Sequence, residues 1–301
     1  MALLKAEAEK LSNNDLVAGV IEEIIDKEDL FAVLPFMKTD GKAYVYNREN
    51  TISEGDFIDP VSDTVPEGAA TFTEVTTNLR ILAGDVDVDK FLESTMSDTS
   101  NQKAIQIAQK AKGLARKFKR TLVIGDNGTN AKEFDGVGQL ITAGQTIDAG
   151  TNGAALTLSM LDELLDAVPN GADFIMMRSG TARALRAALR ASGGLEPSHV
   201  MMENFGRPML THNGTPIIIN DFLPNDETLG AGTDLCSIYA VRANEVDGLH
   251  GIFGGNTAGI MIEDIGTVQN KDATRTRLKW YTGLALKSTR SLARIQGVTN
   301  I

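Results

Sequence analysis

The most regular hydrophobic pattern in the chain lies between residues 98 and 123. Apolar side chains recur there every three or four residues, which is the period of one face of an α-helix. Asp98, Thr99 or Ser100 can cap the first turn, and a Gly-Asp-Asn-Gly run at 125–128 follows the last one. The stripe consists of Ile105, Ala108, Ala111, Ala115, Phe118 and Leu122. The pattern predicts one long amphipathic helix over residues 98–123.

Residues 1–30 carry a second helical pattern. Asn14 can cap a helix with apolar residues at helical spacing, namely Leu16, Val17, Val20, Ile21 and Ile24. This segment lies at the end of the chain, so we expect it to pack on a second copy.

The middle of the chain alternates between helix and strand. Thr157 or Ser159 can cap a helix, and residues 172–178 read as a buried strand. A helix over 179–192 follows and ends at a pair of glycines. Apolar runs then predict strands at 215–220 and 235–241. Two further strand-like runs, 276–288 and 291–298, end the chain.

Residues 47–77 combine many acids with prolines and glycines and hold few large apolar residues. Such a segment is unable to build its own core. It lies between the strand-like runs 44–47 and 72–82, so the pattern predicts a long β-hairpin that projects from the body. A plain surface loop is the alternative.

Composition excludes several classes of protein. The 301 residues are 42% apolar and 23% charged, which is typical of a globular protein. The net charge of −11 argues against a tight nucleic-acid binder, which needs a basic surface. No apolar run reaches the roughly 18 residues of a membrane span, and the N-terminus has no signal-peptide core. The one cysteine, Cys236, lies in a predicted strand and is expected to be a buried, inert thiol.

Motifs that carry chemistry are missing from the sequence. His199, His212 and His250 are well separated and fit no metal-ligand spacing, and one cysteine is too few for a CxxC site. The serine at Ser179 lacks the first glycine of a nucleophile elbow, and no phosphate-binding loop is present. We therefore expect no catalytic residues, no metal and no cofactor, although missing motifs alone do not exclude an enzyme.

Opposite charges are concentrated in the predicted hairpin and the predicted long helix. The acidic candidates are Glu49, Glu54, Asp56, Asp59, Asp63 and Glu67. The basic candidates are Lys103, Lys110, Lys112, Arg116, Lys117 and Arg120. A hairpin that extends outward could meet the helix of a neighbouring copy, which would give a head-to-tail contact that repeats by rotation. The alternative is that both are ordinary solvated surfaces.

The order of these elements resembles the major capsid proteins of tailed bacteriophages, which have the Hong Kong 97 fold. The resemblance covers nearly the whole chain and lies in the order rather than in one motif. Residues 156–189 are similar to the first helix, strand and second helix of the family's axial domain, and 214–221 to its G-x-P-I/V strand. Residues 277–284 are similar to its peripheral-domain strand and 293–298 to its C-terminal strand. The Phe-Asp-Gly-Val run at 134–137 is similar to the turn that leaves the peripheral domain.

The resemblance implies an α+β fold with five segments. They are an N-terminal arm (1–40), an extended hairpin loop (41–82), a peripheral domain with a spine helix (83–133), an axial domain (134–267) and a return to the peripheral domain (268–301). It also implies pentamers and hexamers that form an icosahedral shell around double-stranded DNA. The shell is expected to assemble in the host cytoplasm and to involve no membrane. A scaffolding protein, a portal and decoration proteins are implied partners, and DNA contacts are expected to be non-specific.

Some family members crosslink a hairpin lysine to another subunit. Between Lys42 and Lys90 this sequence has no lysine, so a crosslink from the hairpin tip is not expected. Two other functions stay open: an encapsulin-like cellular shell that encloses a cargo protein, and a soluble α/β enzyme. A peptide-binding groove at the N-terminal helix would favour the first, and clustered histidines or a phosphate loop would favour the second.

Overall fold

The computed structural model describes residues 30–58, 65, 67–95, 102–191, 199–201, 208–255 and 259–299. The helices predicted within residues 1–30 therefore lie almost wholly outside the described part. The described helices are α1 (Leu30–Val33), α2 (Lys90–Thr95), α3 (Gln102–Ile124), α4 (Val137–Leu140), α5 (Leu158–Asp166) and α6 (Ser179–Ala191). Short 3-10 turns lie at Ala143–Gln145 and Thr289–Ser291.

The strands of the described part form a five-stranded sheet, an eight-stranded sheet and a separate two-stranded sheet. They are β1 (Phe36–Lys38), β2 (Ala43–Thr51), β3 (Thr71–Asn78), β4 (Arg80–Asp89), β5 (Thr146–Asp148), β6 (Phe174–Met177), β7 (His199–Met201), β8 (Pro208–His212), β9 (Thr215–Ile219), β10 (Glu227–Leu229), β11 (Gly232–Val241), β12 (Leu249–Phe253), β13 (Met261–Thr267), β14 (Ala273–Leu286) and β15 (Leu292–Thr299).

The five-stranded sheet is built around β14, which pairs with β4, β12 and β13. Helix α3 packs across this sheet, and two residues of the predicted apolar stripe, Phe118 and Leu122, are buried there, whereas Ala108 is exposed. Phe118 is fully buried, and its ring centroid lies 4.5 Å from that of Trp280 on β14. The predicted long helix is confirmed, with described bounds of Gln102–Ile124.

The eight-stranded sheet runs β5-β15-β11-β6-β9-β8-β7, with β10 beside β11. All residues of β6 are buried, because side chains on both faces of the strand enter a hydrophobic core. Helices α5 and α6 contribute Leu161, Leu164 and Leu185 to the core on one face. Thr157 accepts a hydrogen bond from the backbone N–H of Met160, which confirms the predicted cap.

The predicted hairpin is present as β2 and β3, which pair from Ala43 opposite Asn78 to Glu49 opposite Phe72 and, after a shift of register, at Thr51 opposite Thr71. The prediction of one strand-like run over 72–82 was wrong at Leu79. There the chain leaves the hairpin, and it enters the five-stranded sheet as β4. The backbone N–H of Leu79 donates to the carbonyl of Lys42 at 3.0 Å, so this break closes the base of the hairpin.

Candidate assembly interface

The hairpin presents its acids to solvent. Glu49 lies on β2, while Glu54, Asp56 and Glu67 lie in the tip, and all of these side chains are exposed. The candidates Asp59 and Asp63 lie outside the described residues. The described part of the tip contains no helix or strand, so its acids are held by the two strands below it.

Exposed apolar side chains accompany those acids, and the sequence reasoning missed them. Phe57 in the tip is fully exposed, and Phe72 on β3 is 66% exposed. Val45, Ile52, Ile58 and Val65 are also exposed. Alternation along β2 was the available signal, because it places Val45 on the same face as Glu49. Grouped apolar residues on a surface mark a contact site more often than isolated ones do.

The bases of helix α3 lie on two sides of the helix rather than on one. Lys103, Lys110 and Lys117 are spaced by seven residues, which places them on one side. Lys112 and Arg116 are spaced by four residues and lie on the other side. Of the basic candidates, Lys110, Lys117 and Arg120 are exposed, whereas the others are partly covered.

Several of these bases contact groups of their own chain. The Lys103 ammonium lies 3.3 Å from the Asp264 carboxylate on β13, and the Lys117 ammonium lies 2.6 Å from that of Glu133. The Arg116 guanidinium lies 5.4 Å from the ring centroid of Phe222. The spacing of the bases along the helix did not predict these partners, because Asp264, Glu133 and Phe222 lie outside the helix.

Lys119 on the same helix differs from the exposed bases, because its side chain is buried. Its ammonium lies 5.6 Å from the ring centroid of Phe31. A buried lysine beside an aromatic ring is a structural contact within the subunit. It is therefore unsuited to reach an acid on a neighbouring copy.

A row of ion pairs covers the face of the five-stranded sheet that points away from α3. Arg275 contacts Asp87 at 2.6 Å, and Arg277 contacts Asp85 at 2.8 Å, each with two parallel hydrogen bonds. The hydrogen bond from Arg277 holds the pKa of the Asp85 carboxyl below its ordinary value. These acids are neutralised within the subunit, since the register of β4 and β14 places each beside an arginine.

The groups with possible chemistry are dispersed. His212 lies 2.8 Å from Asp162, and Cys236 is buried 3.2 Å from the Thr181 hydroxyl. Burial raises the pKa of the Cys236 thiol, which keeps it protonated and unreactive. Within the described ranges, no group of three His, Cys, Asp or Glu side chains could hold a metal ion. The helices of the described part include none that is long and apolar enough to cross a membrane.

A family profile described as SU10 major capsid protein matches residues 48–299. The chain belongs to this family. The matched region includes most of the hairpin, helix α3, the eight-stranded sheet and all of the five-stranded sheet except β1. The family assignment therefore rests on the same elements that form the fold.

Solved capsid structures share the fold of this capsid subunit at low sequence identity. The SrpI encapsulin of Synechococcus elongatus PCC 7942 superposes with a TM-score of 0.76 at 20% identity, covering 99% of this chain and 97% of that one. The capsid of a native GTA particle gives 0.69 at 13% identity, with 97% of each chain covered. A structure of Mycobacterium phage Adephagia gives a TM-score of 0.64 at 12% identity, covering 100% of this chain and 99% of that one. No curated protein matches the chain.

Proposed function

We propose that this capsid subunit forms pentamers and hexamers, which close into an icosahedral shell around double-stranded DNA in the host cytoplasm. The observation that carries the proposal is the exposed hairpin, whose tip combines acids with apolar side chains such as Phe57. A surface of this kind is unfavourable in water and becomes favourable when another subunit covers it. A scaffolding protein, a portal and decoration proteins are further proposed partners.

The proposed contact places the hairpin tip of one copy beside helix α3 of the next. Glu54, Asp56 and Glu67 would face the exposed bases Lys110 and Lys117. Exposed ion pairs contribute about 0–1 kcal/mol each and weaken in salt, so they would select the register. Burial of the apolar tip would supply most of the binding free energy.

Electron microscopy and light scattering on the purified protein test the proposal. We expect closed particles, or rings of five or six copies, from the protein alone or together with a scaffolding protein. A monodisperse monomer or dimer under both conditions would refute shell formation.

A charge reversal tests the hairpin contact separately. We expect the double variant Glu54→Lys with Asp56→Lys to assemble poorly while its circular dichroism spectrum stays unchanged. The control reverses two exposed acids of α5, Glu163→Lys with Asp166→Lys, which changes the net charge equally. Normal particles from the hairpin variant would disprove the charge contact but would leave the shell proposal intact.

A second candidate is an encapsulin-like shell that encloses protein cargo. The superposition on the SrpI encapsulin favours it, because that encapsulin has the highest TM-score of the structures compared above. Particles purified from the native host discriminate the two. Nuclease-protected DNA inside them supports the phage capsid, whereas a stoichiometric enclosed enzyme supports the encapsulin.

A further inference from the structure

The base of the hairpin is fastened to the body by side chains on one face of β2. The Tyr46 hydroxyl donates to the carbonyl of Leu286 at 2.5 Å, and the Arg48 guanidinium donates to the carbonyl of Lys287 at 2.6 Å. The acceptors belong to the last residue of β14 and to the residue that follows it. These contacts fasten one face of the base of the hairpin to the body.

A buried histidine lies directly beneath this base. His250 on β12 is fully buried, and the ring of Tyr44 covers it edge-on, with centroids 5.8 Å apart and an interplanar angle of 85°. Nδ1 of His250 lies 3.3 Å from the carbonyl oxygen of Gly248. A carbonyl only accepts hydrogen bonds, so Nδ1 carries the proton of the neutral ring.

The other ring nitrogen, Nε2, is enclosed and meets no hydrogen-bonding partner within the described part of the chain. Protonation of Nε2 would create an N–H⁺ group without an acceptor, which is costly in a buried position. The nearby charges are those of Lys287, whose ammonium lies 5.7 Å from the centroid of the Tyr44 ring, and Glu245. Burial lowers the pKa of His250; Lys287 lowers it further, and the Gly248 contact and Glu245 oppose the shift.

A cleft beside the base of the hairpin would admit water toward this position if the base opened. A cleft of about 720 Å³ lies between β2 and the turn that follows β14, and Tyr46, Arg48 and Lys287 line it. Movement of Tyr44 away from the body would extend this cleft toward His250. Nε2 could then bind water and accept a proton at an ordinary histidine pKa.

We propose that His250 is a pH-sensitive lock beneath the hairpin. The neutral ring allows Tyr44 to close over it, and protonation favours the open base. The pKa of His250 is lower in the closed state than in the open one. The closed state is therefore most stable above the ordinary histidine pKa of about 6.5 and loses stability as the pH falls below that value. Each unit of pKa difference shifts the open-to-closed ratio about tenfold. This lock does not require shell formation, because every contact lies within one chain.

Hydrogen exchange read by mass spectrometry tests the lock, after correction for the intrinsic pH dependence of exchange. Between about pH 7.5 and about pH 5.5 we expect exchange in β2 and β3 to accelerate roughly fivefold or more in the wild-type protein. The variant His250→Phe should show no acceleration, since it has no titrating group there. His212→Gln, which alters a histidine on β8, should respond as the wild type does. A wild-type hairpin with no pH response, or a His250→Phe variant that still responds, would overturn the proposal.

An NMR titration keeps the proposal testable if His250→Phe does not fold. We expect the pKa of His250 to lie below 6.5 in the wild-type protein and to rise toward about 6.5 in Tyr44→Ala, because that variant admits water to Nε2. A His250 pKa that is the same in both proteins would show that the hairpin and the histidine are not coupled.

Discussion

Phe118 joins helix α3 to the five-stranded sheet, and its removal should be one of the most damaging single changes. The side chain is fully buried, and its ring lies 5.5 Å from Phe134 and 4.5 Å from Trp280, measured between centroids. Phe118→Ala removes the apolar area and leaves a cavity walled by rigid rings. We expect a loss of about 3–5 kcal/mol in the free energy of unfolding.

Such a loss is a large share of the roughly 5–15 kcal/mol that holds a typical domain folded. Urea unfolding of the unassembled subunit, followed by Trp280 fluorescence, measures it directly. The control Phe91→Ala changes a residue that is 62% exposed and should cost less than about 0.5 kcal/mol. A Phe118→Ala protein within about 1 kcal/mol of the wild type would refute the view that this aromatic cluster anchors the helix.

Three further predictions concern the tip, a tight turn and an ion pair. Phe57→Ser should leave the free energy of unfolding unchanged but reduce the yield of particles by electron microscopy; equal yields would exclude a role for Phe57 in assembly. Gly136→Ala should lower the midpoint of thermal unfolding, because a Cβ there would lie 2.7 Å from the Leu122 carbonyl oxygen; an unchanged midpoint would contradict this. Asp85→Asn should lower the free energy of unfolding at about pH 7, and by less below about pH 4. Because the folded protein lowers the pKa of Asp85, the pair with Arg277 stabilises the fold above the ordinary carboxyl pKa. That contribution is lost as the pH falls through the lowered pKa. Urea unfolding at the two pH values measures it, and a pH-independent difference would be inconsistent with an ion pair.

Local patterns in the sequence were sufficient wherever one physical rule acted alone. The helical period from Ile105 to Leu122 predicted α3, because apolar residues at that spacing lie on one side of a helix. The sequence predicted a cap at Thr157 or Ser159, and Thr157 caps α5; it also predicted a buried strand over 172–178, which is observed at Phe174–Met177. The hairpin followed from a segment too polar to form a core.

Only the tertiary structure decided which residues meet across long separations. Asp85 and Arg277 are 192 residues apart, and the register of β4 and β14 alone pairs them. Lys119 lies on a helix rich in bases, and only the fold shows that its side chain is buried against Phe31. His250 looked like a dispersed histidine, yet β12 carries it beneath Tyr44. Periodicity and propensity act between near neighbours in the chain. These contacts instead depend on how separate helices and strands pack and align, which the sequence pattern does not encode locally.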